Sequence, residues 1–93
     1  MKMKTLAVEY KVKSNIDIDG GKYFSDLSKA YEYISIVIRE QTDPEALESD
    51  NFEKIDYIQL VMYFKNIDKK PIKMSEYSRK SDTEFIERIN ADY

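Results

Sequence analysis

Apolar and polar residues alternate one by one from Thr5 to Lys13: Leu6, Val8, Tyr10 and Val12 fall on one face, and Thr5, Glu9, Lys11 and Lys13 on the other. A period of two with a polar outer set predicts a half-buried strand. Ile16 and Ile18 carry the alternation further, pointing inward between an outward Asp17 and Asp19, either as a short second strand or as an extended connection. Gly20-Gly21 ends it, because glycine enters the positive-φ region that a turn requires.

From Ser25 the spacing changes to three and four. Leu27, Ala30, Tyr31, Ile34, Val37 and Ile38 share one stripe, which predicts a long helix with Ser25 as its N-cap. Tyr33 and Ile36 land on its outer face, beside Lys29 and Glu40. The run YEYISIVI also alternates, but the stripe persists for about four turns, longer than strands usually run. Residues 42–54, TDPEALESDNFEK, read as a solvated loop with at most one helical turn.

A second strong strand follows at 55–64. Ile58, Leu60, Met62 and Phe64 face one way, and Tyr57, Gln59, Val61 and Tyr63 the other. Apolar groups on both faces predict a central strand. Asn66 to Lys70 makes a turn, and Pro71 to Ser78 reads as a weaker edge strand with Ile72 and Met74 inward. Ser81-Asp82-Thr83-Glu84 matches the S-x-x-E capping box, and Phe85, Ile86 and Ile89 follow on one helical face, so a short C-terminal helix is predicted.

The element order is therefore β(β)αββα over a single domain, residues 1–93. The predicted fold class is α+β: a small antiparallel sheet of three to four strands, one long helix packed across one face, and the short C-terminal helix. Both the helix stripe and the inward strand faces need a partner, and this is the simplest layering that supplies one. A chain of 93 residues builds one core, and 42% hydrophobic residues with 8 Tyr mark a folding sequence rather than a disordered tail.

Composition narrows the chemistry. There is no Cys and no His, which removes disulfides, thiolate metal sites and the usual nucleophile-plus-base pairs. Nothing matches a phosphate-binding loop, a nucleophile elbow or a dinucleotide turn, and the carboxylates sit mostly in solvated segments; the expectation is a protein that is not an enzyme and uses no cofactor. One stretch imitates a calcium loop. NIDIDGGKYFSD puts Asn15, Asp17 and Asp19 at positions 1, 3 and 5 of an EF-hand loop, Gly20 at position 6 and Asp26 at position 12. Against metal stand the neutral amide at position 1, the short Asp at position 12, Lys22 at the normally apolar position 8, and a strand pattern where a helix should precede. The turn reading is preferred, and no metal site is expected.

The longest apolar run is far short of a membrane span, and MKMKTLAVEY holds no apolar stretch of signal-peptide length, so a cytoplasmic protein is expected. Abundant Lys, Ile, Tyr and Asp suit the AT-rich coding of a low-GC bacterium or its mobile elements.

The net charge of -3 is unevenly spread: residues 41–57 carry -5 and residues 58–80 carry +4. Wholesale imitation of DNA would need far denser negative charge. Two surfaces remain. The first is the acidic segment with Asp43, Glu45, Glu48, Asp50 and Glu53, suited to steering a basic protein partner; Tyr33 and Ile36 on the outer helix face add a self-complementary patch that would serve a homodimer. The second is a basic hairpin, with Lys65, Lys69, Lys70, Lys73, Arg79 and Lys80 around Tyr63 and Tyr77, an array suited to single-stranded nucleic acid. With Tyr57, those tyrosines are expected on the sheet face away from the helix. The preferred functional reading is a non-enzymatic binding protein acting stoichiometrically on another protein, such as a phage or mobile-element inhibitor of a host nuclease or defence complex of the anti-CRISPR kind. The alternative is a nucleic-acid-binding module built on the hairpin.

Overall fold

The computed structural model describes residues 7–90. Thr5 and Leu6, the expected start of the first strand, lie outside the described residues. The elements are β1 (Val8–Ser14), β2 (Lys22–Phe24), α1 (Leu27–Gln41), α2 (Pro44–Leu47), β3 (Tyr57–Phe64), β4 (Ile72–Ser81) and β5 (Glu84–Ile89). The strands form one five-stranded sheet in the order β2-β1-β3-β4-β5, with every neighbouring pair antiparallel. The fold is α+β as expected, but five strands replace the three or four anticipated.

The largest correction is at the C-terminal end. Glu84–Ile89 is a strand, not a helix, and Ser81 stands directly opposite Glu84 across a tight hairpin. The residues read as the two ends of a capping box are thus the two corners of a turn. Phe85 and Ile89 lie four apart, an offset shared by one face of a helix and one face of a strand, so periodicity could not separate them. The paired edge of β4 decided the matter. That strand is longer than expected and internal, flanked by β3 and β5, so Pro71 precedes an inner strand instead of starting an edge.

The second strand is also displaced. Residues 15–18 form a turn rather than a strand, and Ile18 is fully exposed instead of inward, while Ile16 packs against the core. Pairing resumes after Gly20 (φ 93) and Gly21 (φ 109). A Cβ at Gly21 would collide with the Val12 carbonyl and the Lys13 backbone, so this glycine lets the returning chain lie directly on β1.

Asp26 rather than Ser25 caps α1. Its carboxylate accepts the Ser28 amide at 2.9 Å and the Ser28 hydroxyl at 2.8 Å, and these bonds hold its pKa below the usual carboxylate value. At the far end, the Thr42 amide and hydroxyl both donate to the Ile38 carbonyl. Ala30 and Ile34 of α1 press onto Val12, Ile58, Leu60, Met74 and Tyr77 to make the core. Among the described residues, no helix is long and apolar enough to cross a membrane.

A bulge in β4 controls which residues face that core. Leu60 stands opposite Ser75 while Val61 stands opposite Lys73, so Met74 is an extra residue and the inward parity flips there. Ile72 faces the helix, as expected. Beyond Met74, however, it is Ser75 and Tyr77 that point inward, leaving Glu76 and Ser78 on the open face.

Candidate functional site

Tyr77 therefore leaves the proposed aromatic platform. It is 7% exposed within the core, and burial first, then the neighbouring Glu87 carboxylate, push its hydroxyl pKa well above the ordinary tyrosine value. Arg79 leaves the basic hairpin for the same reason. Its guanidinium reaches the end of α1, donating to the Gln41 carbonyl at 3.3 Å and the Gln41 side-chain oxygen at 2.6 Å. It also donates to the Ile55 carbonyl at 2.8 Å and the Asp82 carbonyl at 2.9 Å, and stacks on Phe85 with 4.7 Å to the ring centre. A cation among the last helical carbonyls is where the helix dipole favours one.

Most of the hairpin lysines have companions. Lys65 meets Glu9 at 3.9 Å, Lys73 meets Glu76 at 3.8 Å, Lys80 meets Glu84 at 3.5 Å, and Lys69 lies over the Phe64 ring. Lys70 is exposed beside them. The hairpin is thus a set of exposed local pairs, with Tyr63 alone of its two tyrosines on the open sheet face.

The acidic segment keeps its exposed carboxylates. Asp43 caps α2 by accepting the Glu45 amide at 3.1 Å, and Glu48 ends that single turn. The Glu53 carbonyl accepts the Gln41 side-chain amide at 2.9 Å, so the backbone of this segment is tied to α1 while its side chains project. Among the described residues, none of Glu45, Glu48, Asp50 or Glu53 has a cation at ion-pair distance.

The stretch that imitates a calcium loop is occupied with other work. Asn15 Oδ1 accepts the Asp56 amide at 2.7 Å and the Tyr57 amide at 3.3 Å, pinning the entry to β3. Asp17 accepts the Ser14 amide at 2.6 Å, and Asp26 caps α1. These oxygens serve three separate pieces of backbone.

A concavity lies between β2 and the outer face of α1. It encloses about 370 Å³ and is walled by Tyr23, Phe24, Tyr33 and Ile36, with Asp26, Lys29 and Glu32 on its rim. The Phe24 and Tyr33 rings pack at 5.3 Å, and the Lys22 ammonium lies 4.8 Å from the Tyr33 ring centre. Burial first, then the carboxylates of Asp17 and Glu40, raise the Tyr33 pKa. Ile36 is 42% exposed, and β2 is an edge strand of the sheet among the described residues. Ile36 is exposed on the outer face as expected, whereas Tyr33 is half-buried against the core; Tyr23 and Phe24 were not legible, because the strand carrying them was expected earlier in the chain.

Chemically, an apolar concavity with a mixed-charge rim can seat a side chain of a partner. No protein-family model, curated protein or solved structure matches this chain.

Proposed function

We propose that this is a non-enzymatic cytoplasmic protein that binds another protein stoichiometrically, seating an apolar side chain of its partner in the groove between β2 and α1. The observation that carries the reading is the contiguous wall of half-buried Phe24 and Tyr33 with exposed Ile36, beside the edge strand β2. Aromatic anchors at the centre of a polar rim are the usual composition of a binding hot spot. The acidic segment lies beyond the other end of α1, so its role is to steer a basic partner toward the groove rather than to seat it. A nuclease or a nucleic-acid-handling defence complex presents such basic surfaces, and a phage or mobile-element inhibitor of one remains the concrete partner class. A further feature supports binding over catalysis: the pKa values of Asp26, Tyr33 and Tyr77 all move away from neutrality, where proton transfer would need them.

The test is capture from nuclease-treated lysate of a low-GC bacterium, with stoichiometry measured on the recovered complex. A one-to-one complex that Ile36→Glu weakens by more than about thirtyfold supports the groove, since a charge in a hot spot forfeits at least a typical anchor's share. Glu48→Lys with Asp50→Lys should chiefly slow association at low salt. A complex indifferent to Ile36→Glu refutes the groove. A homodimer in sedimentation that Ile36→Glu dissolves would mean that a second copy occupies it.

A further inference from the structure

The sheet face turned away from α1 differs in chemistry from the groove. By register, this face presents Tyr23 on β2, Glu9, Lys11 and Lys13 on β1, and Tyr57, Gln59, Val61 and Tyr63 on β3. Lys73, Glu76 and Ser78 follow on β4, with Ile86 and Arg88 on β5. No element of the described chain packs over it.

Three observations give that face a direction. Its carboxylates are already answered: Glu9 by Lys65, and Glu76 by Lys73 at 3.8 Å and by the Gln59 amide at 2.9 Å. Lys11, Lys13 and Arg88 have no ion-pair partner among the described residues, so positive charge is left over on a protein whose total is -3. The acidic segment, by contrast, adjoins the end of α1 on the other side of the sheet. Finally, the Lys11 ammonium sits between two rings, 5.3 Å from the centre of Tyr23 and 5.8 Å from that of Tyr63, whose own centres are 6.2 Å apart.

We infer that this face binds single-stranded nucleic acid, with bases stacked on Tyr23, Tyr63 and Tyr57 and phosphates drawn to Lys11, Lys13 and Arg88. Rings flanked by unpaired cations are what such strands need, because every base has a π-face and every linkage a negative charge. Tyr57 and Tyr63 are six residues apart on one strand, about 20 Å, a length that takes roughly four nucleotides. An acidic protein is the poorer occupant. A protein interface wants a desolvated apolar centre, whereas here Val61, the buried apolar residue of this face, lies between Lys11 and Lys73 in the register. The surface differs from a basic hairpin in its residues: Arg79 and Tyr77 are absent from it, while Lys11, Lys13, Tyr23 and Arg88 supply the contacts.

Fluorescence anisotropy with labelled twelve-nucleotide oligo-dT and oligo-U, at low salt, tests this on the full chain. Roughly micromolar binding is expected, with duplex of the same length and polyglutamate binding at least tenfold more weakly. Lys13→Glu with Arg88→Glu should weaken binding more than tenfold and make the slope of log affinity against log salt shallower by about 1.4, for two lost phosphate contacts. Tyr23→Leu, at an exposed position, should cost about tenfold with the salt slope unchanged, as loss of one stacked base predicts. Lys69→Glu with Lys70→Glu should leave affinity within twofold. Circular dichroism must show each variant folded. No binding by the parent chain, equal binding to polyglutamate, indifference to Tyr23→Leu, or a loss from the Lys69 and Lys70 changes that matches the Lys13 and Arg88 pair would each overturn the inference.

Discussion

Replacing Arg79 by Met should destabilise the protein without touching any binding surface. The guanidinium makes six hydrogen bonds to five oxygens. The Ser81 and Asp82 carbonyls sit in an exposed turn and can turn to water, so their loss costs little. The Ile55 and Gln41 carbonyls belong to buried residues and lose their Arg79 donor, and the Gln41 side-chain oxygen loses one of two donors while keeping the Ile55 amide at 2.8 Å. At about 1 kcal/mol for each buried acceptor, the loss is about 3 kcal/mol, before any contribution from the stack on Phe85. For a chain of this length, total stability is about 5–14 kcal/mol. The melting temperature should therefore fall by about 15 °C. Arg79→Lys should recover less than half of that, because one ammonium cannot span oxygens on α1, on the approach to β3 and in the β4–β5 turn. Gln41→Ala removes the same junction from the other side, so the double variant should be less unstable than the sum of the singles by about 1 kcal/mol or more. Urea melts of the parent and these four variants measure this. An Arg79→Met variant within 1 kcal/mol of the parent, or strict additivity with Gln41→Ala, would refute the argument.

Two further outcomes are expected. Gly21→Ala combines positive φ with a clash against the Val12 carbonyl and should cost about 2–3 kcal/mol, whereas Gly20→Ala, which meets the movable end of Lys11, should cost at least 1 kcal/mol less; chemical denaturation of both decides it. The Asp26 cap, whose folded pKa is depressed, contributes stability that is fully present above its ordinary value of 3.8 and disappears as pH falls through the lower folded value. Parent and Asp26→Ala melts should thus converge as the pH is lowered through that window, and a gap that stays constant would contradict it.

The elements legible in the sequence were those with a single periodicity and one buried face. Ala30 and Ile34 announced the helix, and Val12, Ile58 and Leu60 the two long strands, because each sits where its spacing puts it. The short turn at Pro44–Leu47 was readable from Pro44 and its acidic flanks, and the exposure of Ile36 from its place opposite the helix stripe. What failed was information that no single strand contains. The Met74 bulge reverses the facing of everything after it, and that one residue moved Tyr77 into the core and Arg79 onto the end of α1. The open face was read only in part, through Tyr57 and Tyr63, because its side chains come from five strands, and adjacency across a sheet is set by pairing order rather than by spacing along the chain. Lys11 and Lys13 were recognised as outward, yet nothing in the sequence put Tyr23 or Arg88 beside them.

The strand order also dictates how the chain must reach this state. Strands β3, β4 and β5 follow one another as a meander with short connections, so their contacts close at little entropic expense. Strand β1 finds β3 only after the chain has spanned β2, α1 and α2. Contacts of long sequence separation close later than those of a meander, so the seam between β1 and β3 is expected to form last. Until it closes, Ile58 and Leu60 line an uncovered edge strand of the meander, the exposure that leads to aggregation during synthesis.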